Sequence, residues 1–132
     1  MRVLAICAGL ALLTGCADGD MCGNRLVSRL PSPDGMLEAV VYERDCGATT
    51  ALSTHVSIVQ PGVFPVGAGN VFVASGGESH AEWRDLEATA VWTGTASLEV
   101  SYDGASRVSH EQQYLDGVAI IYRQVSLATG RS

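Results

Sequence analysis

The stretch SPDGMLEAVVYERDCG, from Ser32 to Gly47, contains the pattern that decides the fold. Its first four residues favour a tight turn, because proline presets φ and glycine tolerates positive φ. After the turn, Leu37, Ala39 and Val41 alternate with residues that point to the other face, and a period of two indicates a β-strand. The stretch therefore predicts the turn and second strand of a β-hairpin.

The same pattern continues along the rest of the chain, where short runs rich in β-branched and aromatic residues are separated by turn signals. Short strands at even spacing are typical of an antiparallel meander that closes into a small sandwich or barrel, so we predict an all-β fold. Residues 78–88 are compatible with a helix, a single helical turn or an ordered loop. We predict eight strands, near residues 25–30, 36–44, 54–60, 70–75, 87–93, 97–102, 106–112 and 118–124.

The N-terminal residues MRVLAICAGLALLTGC have the organisation of an export signal. Arg2 supplies positive charge, and residues 3–13 form an apolar run too short to span a bilayer as a helix. Leu13-Thr14-Gly15-Cys16 resembles the lipobox of bacterial lipoproteins. This resemblance implies cleavage before Cys16, diacylglycerol on its sulfur, and an acyl chain such as palmitate on the new amino group. An ordinary secretory signal cut nearby is the alternative.

This signal divides the chain into three parts. Residues 1–15 are predicted to be a cleaved lipoprotein signal peptide, and residues 16–23 a short lipidated tether. Residues 24–132 are predicted to form a single β domain, which is long enough to bury a core of its own. The tether is too short to carry that domain far from a membrane.

Four cysteines are present, and two remain for a disulfide. Cys7 leaves with the signal peptide and Cys16 carries the lipid. Cys22 and Cys46 are left in an exported protein, where a disulfide is the default. A turn centred in the SPDG motif places these two within one residue of directly opposite each other, near the separation that a disulfide accepts. A free, reactive Cys46 is the alternative.

The charge of the chain limits its partners. The formal net charge is −6, and the eight basic residues are all arginine. An acidic chain without basic clusters argues against nucleic acid and against binding to anionic lipid through the protein surface. We therefore expect membrane contact through the N-terminal lipid, a possible envelope protein as partner, and no nucleic acid.

The remaining polar residues form only weak catalytic or metal-binding patterns. Arg44 and His55 would be the groups that activate a free Cys46. His55 is expected to be half-exposed on a strand, and His110 to lie on the surface. The segment around His80 lacks a second His or Cys at zinc spacing, so a solvated acidic loop is expected there. No Gly-x-Ser-x-Gly motif occurs. We predict no catalytic residue, no metal site and no cofactor.

The motifs CGN, SPDG, AVVYERDCGATT, VSIV and GNVFVA together resemble a group of small, uncharacterised bacterial envelope proteins, many of which have lipoprotein signals. The resemblance extends from Cys22 to about Ala74, and RDCGATT is its most specific part. It implies an envelope location and a β fold, and it brings no activity or site residue.

These observations predict a lipid-anchored, non-enzymatic binding or accessory module of the bacterial cell envelope. Ala17 follows the lipidated cysteine where aspartate would signal inner-membrane retention, so the periplasmic face of the outer membrane is expected in a two-membrane organism. Recognition is expected in the loop after the second strand, with the candidate residues Arg44, Asp45, Gly47, Thr49 and Thr50.

Two other functions remain open from the sequence. The first is a periplasmic inhibitor of an exported hydrolase such as lysozyme, which is basic whereas this chain is acidic. The second is an envelope enzyme that uses His55, His80 or a nearby carboxylate. A solvent-excluded cluster of these residues would favour the enzyme, and their dispersal on the surface would disfavour it.

Overall fold

A computed structural model describes residues 22–47 and 51–126, which form two packed β-sheets. One sheet has the order β1-β2-β3-β4-β7 and the other β5-β6-β9-β8. A single turn of 3-10 helix, Ala81–Trp83, precedes β5. The strands are β1 (Gly23–Pro31), β2 (Glu38–Asp45), β3 (Ser53–Val59), β4 (Phe72–Ser75), β5 (Ala88–Gly94), β6 (Ser97–Asp103), β7 (Arg107–Glu111), β8 (Tyr114–Leu115) and β9 (Val118–Val125).

The all-β prediction is confirmed, and the architecture is a sandwich of two sheets. The first four strands form the predicted antiparallel meander. Beyond them the chain crosses between sheets, since β7 returns to pair with β4, and β9 lies parallel to β6. The described residues contain one strand more than predicted, β8 (Tyr114–Leu115), which is too short to produce a periodic signal in the sequence.

The core lies between the two sheets and follows the alternation of the quoted stretch. Ala39 and Val41 of β2 point into it and are fully buried. They meet apolar side chains of the opposite sheet, and this burial supplies the main stabilising free energy of the fold. Other buried members of the core are Val56, Ile58, Val71, Phe72, Ala74, Leu86, Ala88, Ala90, Leu98, Val100, Tyr102, Val118 and Ile120.

The SPDG turn closes the first hairpin as predicted. Ser32 N–H donates to Leu37 O at 2.9 Å, and Leu37 N–H donates to Ser32 Oγ at 3.1 Å. Gly35 has φ of 71°, a conformation that side-chain-bearing residues rarely adopt. A bulge at Val27 then shifts the register of β1 by one residue.

The bulge sets the register of the strand pairs at the open end of the hairpin. Gly23 pairs with Asp45, so Cys22 and Cys46 follow as the next opposed positions, and they form a disulfide. The predicted Cys22–Cys46 bond is therefore present, and a free Cys46 nucleophile is excluded in this structure. We call this end of the sandwich the clasp end.

The other face of β2 is also covered. Val40 and Tyr42 are fully buried although they point away from the core between the sheets. The segment of residues 60–71, here called the cover loop, lies over them. Tyr42 Oη donates to Gly67 O at 2.9 Å. The side-chain amide of Asn70 accepts from Ile58 N–H through Oδ1 and donates to Ile58 O through Nδ2. This explains why β2 is almost continuously buried.

Side chains of the second half protect the edge of the first sheet. Trp92 Nε1 donates to Leu30 O at 2.7 Å, and Arg84 Nη1 donates to Val27 O at 2.7 Å. Both acceptors belong to β1, which is an edge strand. These bonds occupy backbone groups that would otherwise be open to pairing with another chain.

Candidate functional site

A cavity of about 250 Å³ opens at the clasp end of the sandwich. One wall is formed where β2 ends and β3 begins, and the other by the segment that connects β4 to β5. The disulfide fixes the end of β2 directly beside it. The lining residues are Glu43, Leu52, Ser53, Thr54, Gly77, Ser79, Asp85 and Glu87.

The cavity is acidic. Glu43, Asp85 and Glu87 contribute carboxyl groups, and the described lining contains hydroxyls but no basic side chain. Glu43 accepts hydrogen bonds from the exposed Arg25 at the rim, and Glu87 accepts one from Ser106 Oγ at 3.1 Å. Such a lining suits a cationic group that donates several hydrogen bonds, since carboxylates accept from a guanidinium or ammonium.

The backbone at Asp85 is held in an unusual conformation. Arg84 and Asp85 have φ of 58° and 65°, which is the left-handed region. The turn is closed by Asp85 N–H, which donates to His80 O at 2.9 Å, and by Leu86, which bridges to His80. Aspartate adopts the left-handed backbone conformation more readily than most residues. This turn places Asp85 in the wall of the cavity.

Below this turn, His80 and Asp103 form a buried pair. His80 Nε2 donates to Asp103 Oδ1 at 3.0 Å, and the ring stacks on Trp83 with centroids 4.1 Å apart. The other oxygen, Asp103 Oδ2, accepts from the backbone N–H groups of Glu78 and Ala105, each at 3.0 Å. Burial by itself would raise the pKa of Asp103, but these hydrogen bonds outweigh it and lower the pKa below 3.8.

The prediction of a solvated loop around His80 is therefore wrong for the histidine. His80 is buried, whereas its neighbour Glu82 is exposed. The partner Asp103 is distant in sequence, at the end of β6, so no local pattern could reveal it. The pair anchors the segment that forms one cavity wall.

The prediction for His55 also needs correction, because its side chain is only 3% exposed. The ring stacks on Tyr42 at 5.3 Å, and Nδ1 accepts a hydrogen bond from Gly69 N–H at 2.9 Å. Burial, with a smaller contribution from the charge of Arg44, lowers the pKa of His55 from 6.5 to about 4. The cover loop buries this ring, and a period-two pattern does not report such covering.

Ser53 lines the cavity and lies 2.7 Å from His55 Nε2, a spacing that resembles a nucleophile and its base. The hydrogen bond from Gly69 N–H makes Nδ1 an acceptor, so in the neutral ring Nε2 carries the proton and donates to Ser53 Oγ. A base must accept the serine proton at that nitrogen. In this state the pair orders the strand and does not activate Ser53.

The predicted recognition residues divide between core and surface. Arg44 is only 8% exposed, and its Nη1 donates to Asn24 Oδ1 at 2.7 Å. Arg44 therefore belongs to the buried layer under the cover loop and not to an open surface. Asp45 and Gly47 are exposed, and Gly47 N–H donates to Asp45 Oδ1 at 3.0 Å. The candidates Thr49 and Thr50 lie outside the described residues.

The structure does not bring the sequence candidates into one active centre. His55 and His80 are both buried, but they share none of the partners given above, and His110 is exposed as predicted. In residues 22–47 and 51–126, no group of three or more His, Cys, Asp or Glu side chains could hold a metal ion. The cavity carboxyls come from two distant segments, Glu43 from β2 and Asp85 with Glu87 from the connection between β4 and β5, so their meeting has no signature in the linear sequence.

Two predictions concern the N-terminus. The signal peptide, residues 1–15, and the lipidation site Cys16 lie outside the described residues. Across the part of the chain that is described, no helix has the length and apolar character needed to cross a bilayer.

Comparison with known protein families, curated proteins and solved structures found no match. The resemblance of the CGN, SPDG and RDCGATT motifs to bacterial envelope lipoproteins therefore stays a prediction. The interpretation of the site depends on its own geometry.

Proposed function

We propose that this chain is a lipid-anchored protein of the bacterial cell envelope that acts as a non-catalytic binding module. The acidic cavity at the clasp end is the observation that carries this proposal. A pocket with a few convergent polar groups is the usual form of a ligand site. The disulfide beside it suits an oxidising compartment and a preorganised binding surface.

The anchor is Cys16, carrying diacylglycerol and an acyl chain. More than one acyl chain gives stable attachment, whereas a single chain binds reversibly. The periplasmic face of the outer membrane is the proposed location in a two-membrane organism. Labelling cells with palmitate tests the anchor, because wild type should incorporate the label and Cys16→Ala should not. Equal incorporation by both proteins would refute it.

The proposed ligand is a basic side chain of an envelope protein that enters the cavity. The carboxyl groups of Asp85 and Glu87 attract a guanidinium or ammonium, whereas Glu43 already accepts from Arg25. The acidic net charge of the chain steers a basic partner toward the domain. This chemistry favours one specific second function, the inhibition of an exported basic hydrolase such as lysozyme. The donor arrangement of Ser53 and His55 supports the non-catalytic interpretation over an envelope enzyme.

Capture from the native envelope with the full lipidated protein would identify partners. Calorimetry with purified lysozyme measures binding, and the hydrolytic rate of lysozyme with and without the protein tests the inhibitor function. The double variant Asp85→Asn and Glu87→Gln removes two of the three carboxyl charges of the cavity without changing side-chain size. We expect it to bind the partner at least about tenfold more weakly, which corresponds to roughly 1.4 kcal/mol.

The control for this experiment is Glu111→Gln. It makes the same Glu-to-Gln change as Glu87→Gln, at an exposed position on β7 outside the cavity lining, and removes one of the two charges that the double variant removes. It should bind like wild type, apart from a small change in association rate. Identical affinities of the double variant and wild type would show that recognition does not use the cavity.

A further inference from the structure

The cover loop presents an apolar ridge to solvent, formed by Val63, Phe64 and Val66. Val66 is 83% exposed and Phe64 51% exposed. Isolated apolar residues on a surface are ordinary, but three within four consecutive residues form a patch of the kind that marks an interaction site. Pro65, between Phe64 and Val66, is buried, whereas the ridge side chains on either side of it are exposed to solvent.

The backbone of the ridge accepts hydrogen bonds from side chains of β1. Arg29 Nη2 donates to Val63 O at 2.6 Å. Asn24 Nδ2 donates to both Pro65 O and Gly67 O, at 2.8 and 3.0 Å, so it holds the backbone on each side of Val66. These bonds cost no rearrangement when the ridge contacts a partner, and preorganisation of this kind lowers the cost of binding.

The ridge lies close to Cys22, the first described residue, and this position indicates which surface the ridge contacts. Asn24 lies two residues after Cys22, where the described part of the chain begins. Six residue steps separate Cys22 from Cys16, and a fully extended chain of that length reaches only roughly 20 Å. The amide that holds Val66 is therefore close to any lipid carried by Cys16.

We propose that the apolar ridge contacts the lipid surface in which Cys16 is anchored, and that the anchored domain consequently lies with the cover loop against the membrane. This inference rests on the proposed lipid anchor. The anchor keeps the ridge at high effective concentration near the bilayer, so a weak apolar contact is sufficient. Side chains of this type enter the boundary between headgroups and acyl chains, roughly 5–10 Å deep.

The charges around the ridge define the lipid chemistry. The ridge itself is uncharged, Arg29 is neutralised by Glu38 at 2.9 Å, and the chain is acidic overall. The contact is therefore apolar and does not need anionic lipid, so zwitterionic phosphatidylcholine is a suitable probe surface. Glu43, which lines the cavity, and Tyr42, which bonds the cover loop, lie on opposite faces of β2, so the cavity and the cover loop are on different sides of this strand.

The test uses the full lipidated protein reconstituted into phosphatidylcholine vesicles, with or without brominated acyl chains that quench indole fluorescence on contact. Phe64→Trp places a reporter in the ridge, and Val66→Trp is a second reporter if the first variant folds poorly. Val91→Trp is the matched control, since Val91 is 53% exposed on β5 of the other sheet. The signal of Trp83 and Trp92 is measured in wild type and subtracted.

We expect brominated lipid to remove roughly half of the added fluorescence of the ridge reporters and to leave that of V91W unchanged, as contact at the acyl boundary requires. Mass spectrometry of Cys16 is recorded on the same samples. Equal quenching of F64W, V66W and V91W in protein with acyl mass on Cys16 would overturn the ridge contact and leave the anchor standing. Absence of acyl mass would overturn both.

Discussion

Acidification should weaken this fold through His55 before it affects the carboxyl groups. The folded state holds the His55 ring neutral, with a pKa of about 4, whereas the unfolded chain takes up the proton near pH 6.5. Because the pKa of the folded state is the lower one, the stabilisation is complete above pH 6.5. It is lost as the pH falls from 6.5 toward 4.

The magnitude follows from these two values. Relative to pH 7, the free energy of unfolding should fall by about 2 kcal/mol at pH 5 and by about 3 kcal/mol at pH 4. The carboxyl groups whose pKa values the fold lowers, Asp34 and Asp103, have an ordinary value of 3.8. Their contributions are therefore lost mainly at lower pH, and measurements between pH 7 and 5 isolate the histidine.

Urea unfolding of the oxidised protein at pH 7, 6 and 5 measures this loss. In His55→Asn the amide oxygen can accept the Gly69 N–H bond in place of Nδ1, and the titrating group is gone. This variant should be less stable at pH 7 but lose little further stability by pH 5. The control is His110→Gln, which replaces the exposed histidine and should keep the wild-type pH dependence. Equal losses in wild type and His55→Asn would refute the reasoning.

Two further predictions concern stability at neutral pH. Replacing both cysteines, Cys22→Ala with Cys46→Ala, removes a link across a sequence separation of 24 and should lower the free energy of unfolding by about 3.5 kcal/mol; a change within about 0.5 kcal/mol in urea unfolding would contradict this. Asp103→Asn weakens three hydrogen bonds to a buried carboxylate and should cost about 3 kcal/mol. Asp116→Asn is its control, because Asp116 is exposed in a turn with φ of 51°, where asparagine is well tolerated. Similar thermal midpoints for the two variants would contradict a structural role of the Asp103 carboxylate.

The hairpin at the start of the domain shows how far local pattern reaches. Alternation in β2, the SPDG turn and the opposed cysteines all depend on neighbours within about 25 residues, and all were predictable. The bulge at Val27 was not, yet it is what brings Cys22 directly opposite Cys46. The sequence left the register of the hairpin uncertain by one residue, and this was small enough for the disulfide to be inferred.

The histidines show where local pattern fails. His55 and Ser57 lie on a strand face that alternation assigns to solvent, but the cover loop buries both. His80 looks like part of an acidic loop, but its bond to Asp103 depends on β6 lying beneath it. In each case the decisive partner, the cover loop for His55 and β6 for His80, is brought close by the tertiary fold and not by spacing along the chain.

By itself, the sequence determined the all-β class, the first hairpin and the disulfide, because period-two alternation and turn chemistry act over short distances. Only the tertiary structure decided that β7 returns to the first sheet and that β9 runs parallel to β6. It also decided that Glu43, Asp85 and Glu87 share one cavity. The physical reason is that burial and hydrogen bonding between distant segments depend on which strands pair, and many pairings satisfy the same alternating pattern.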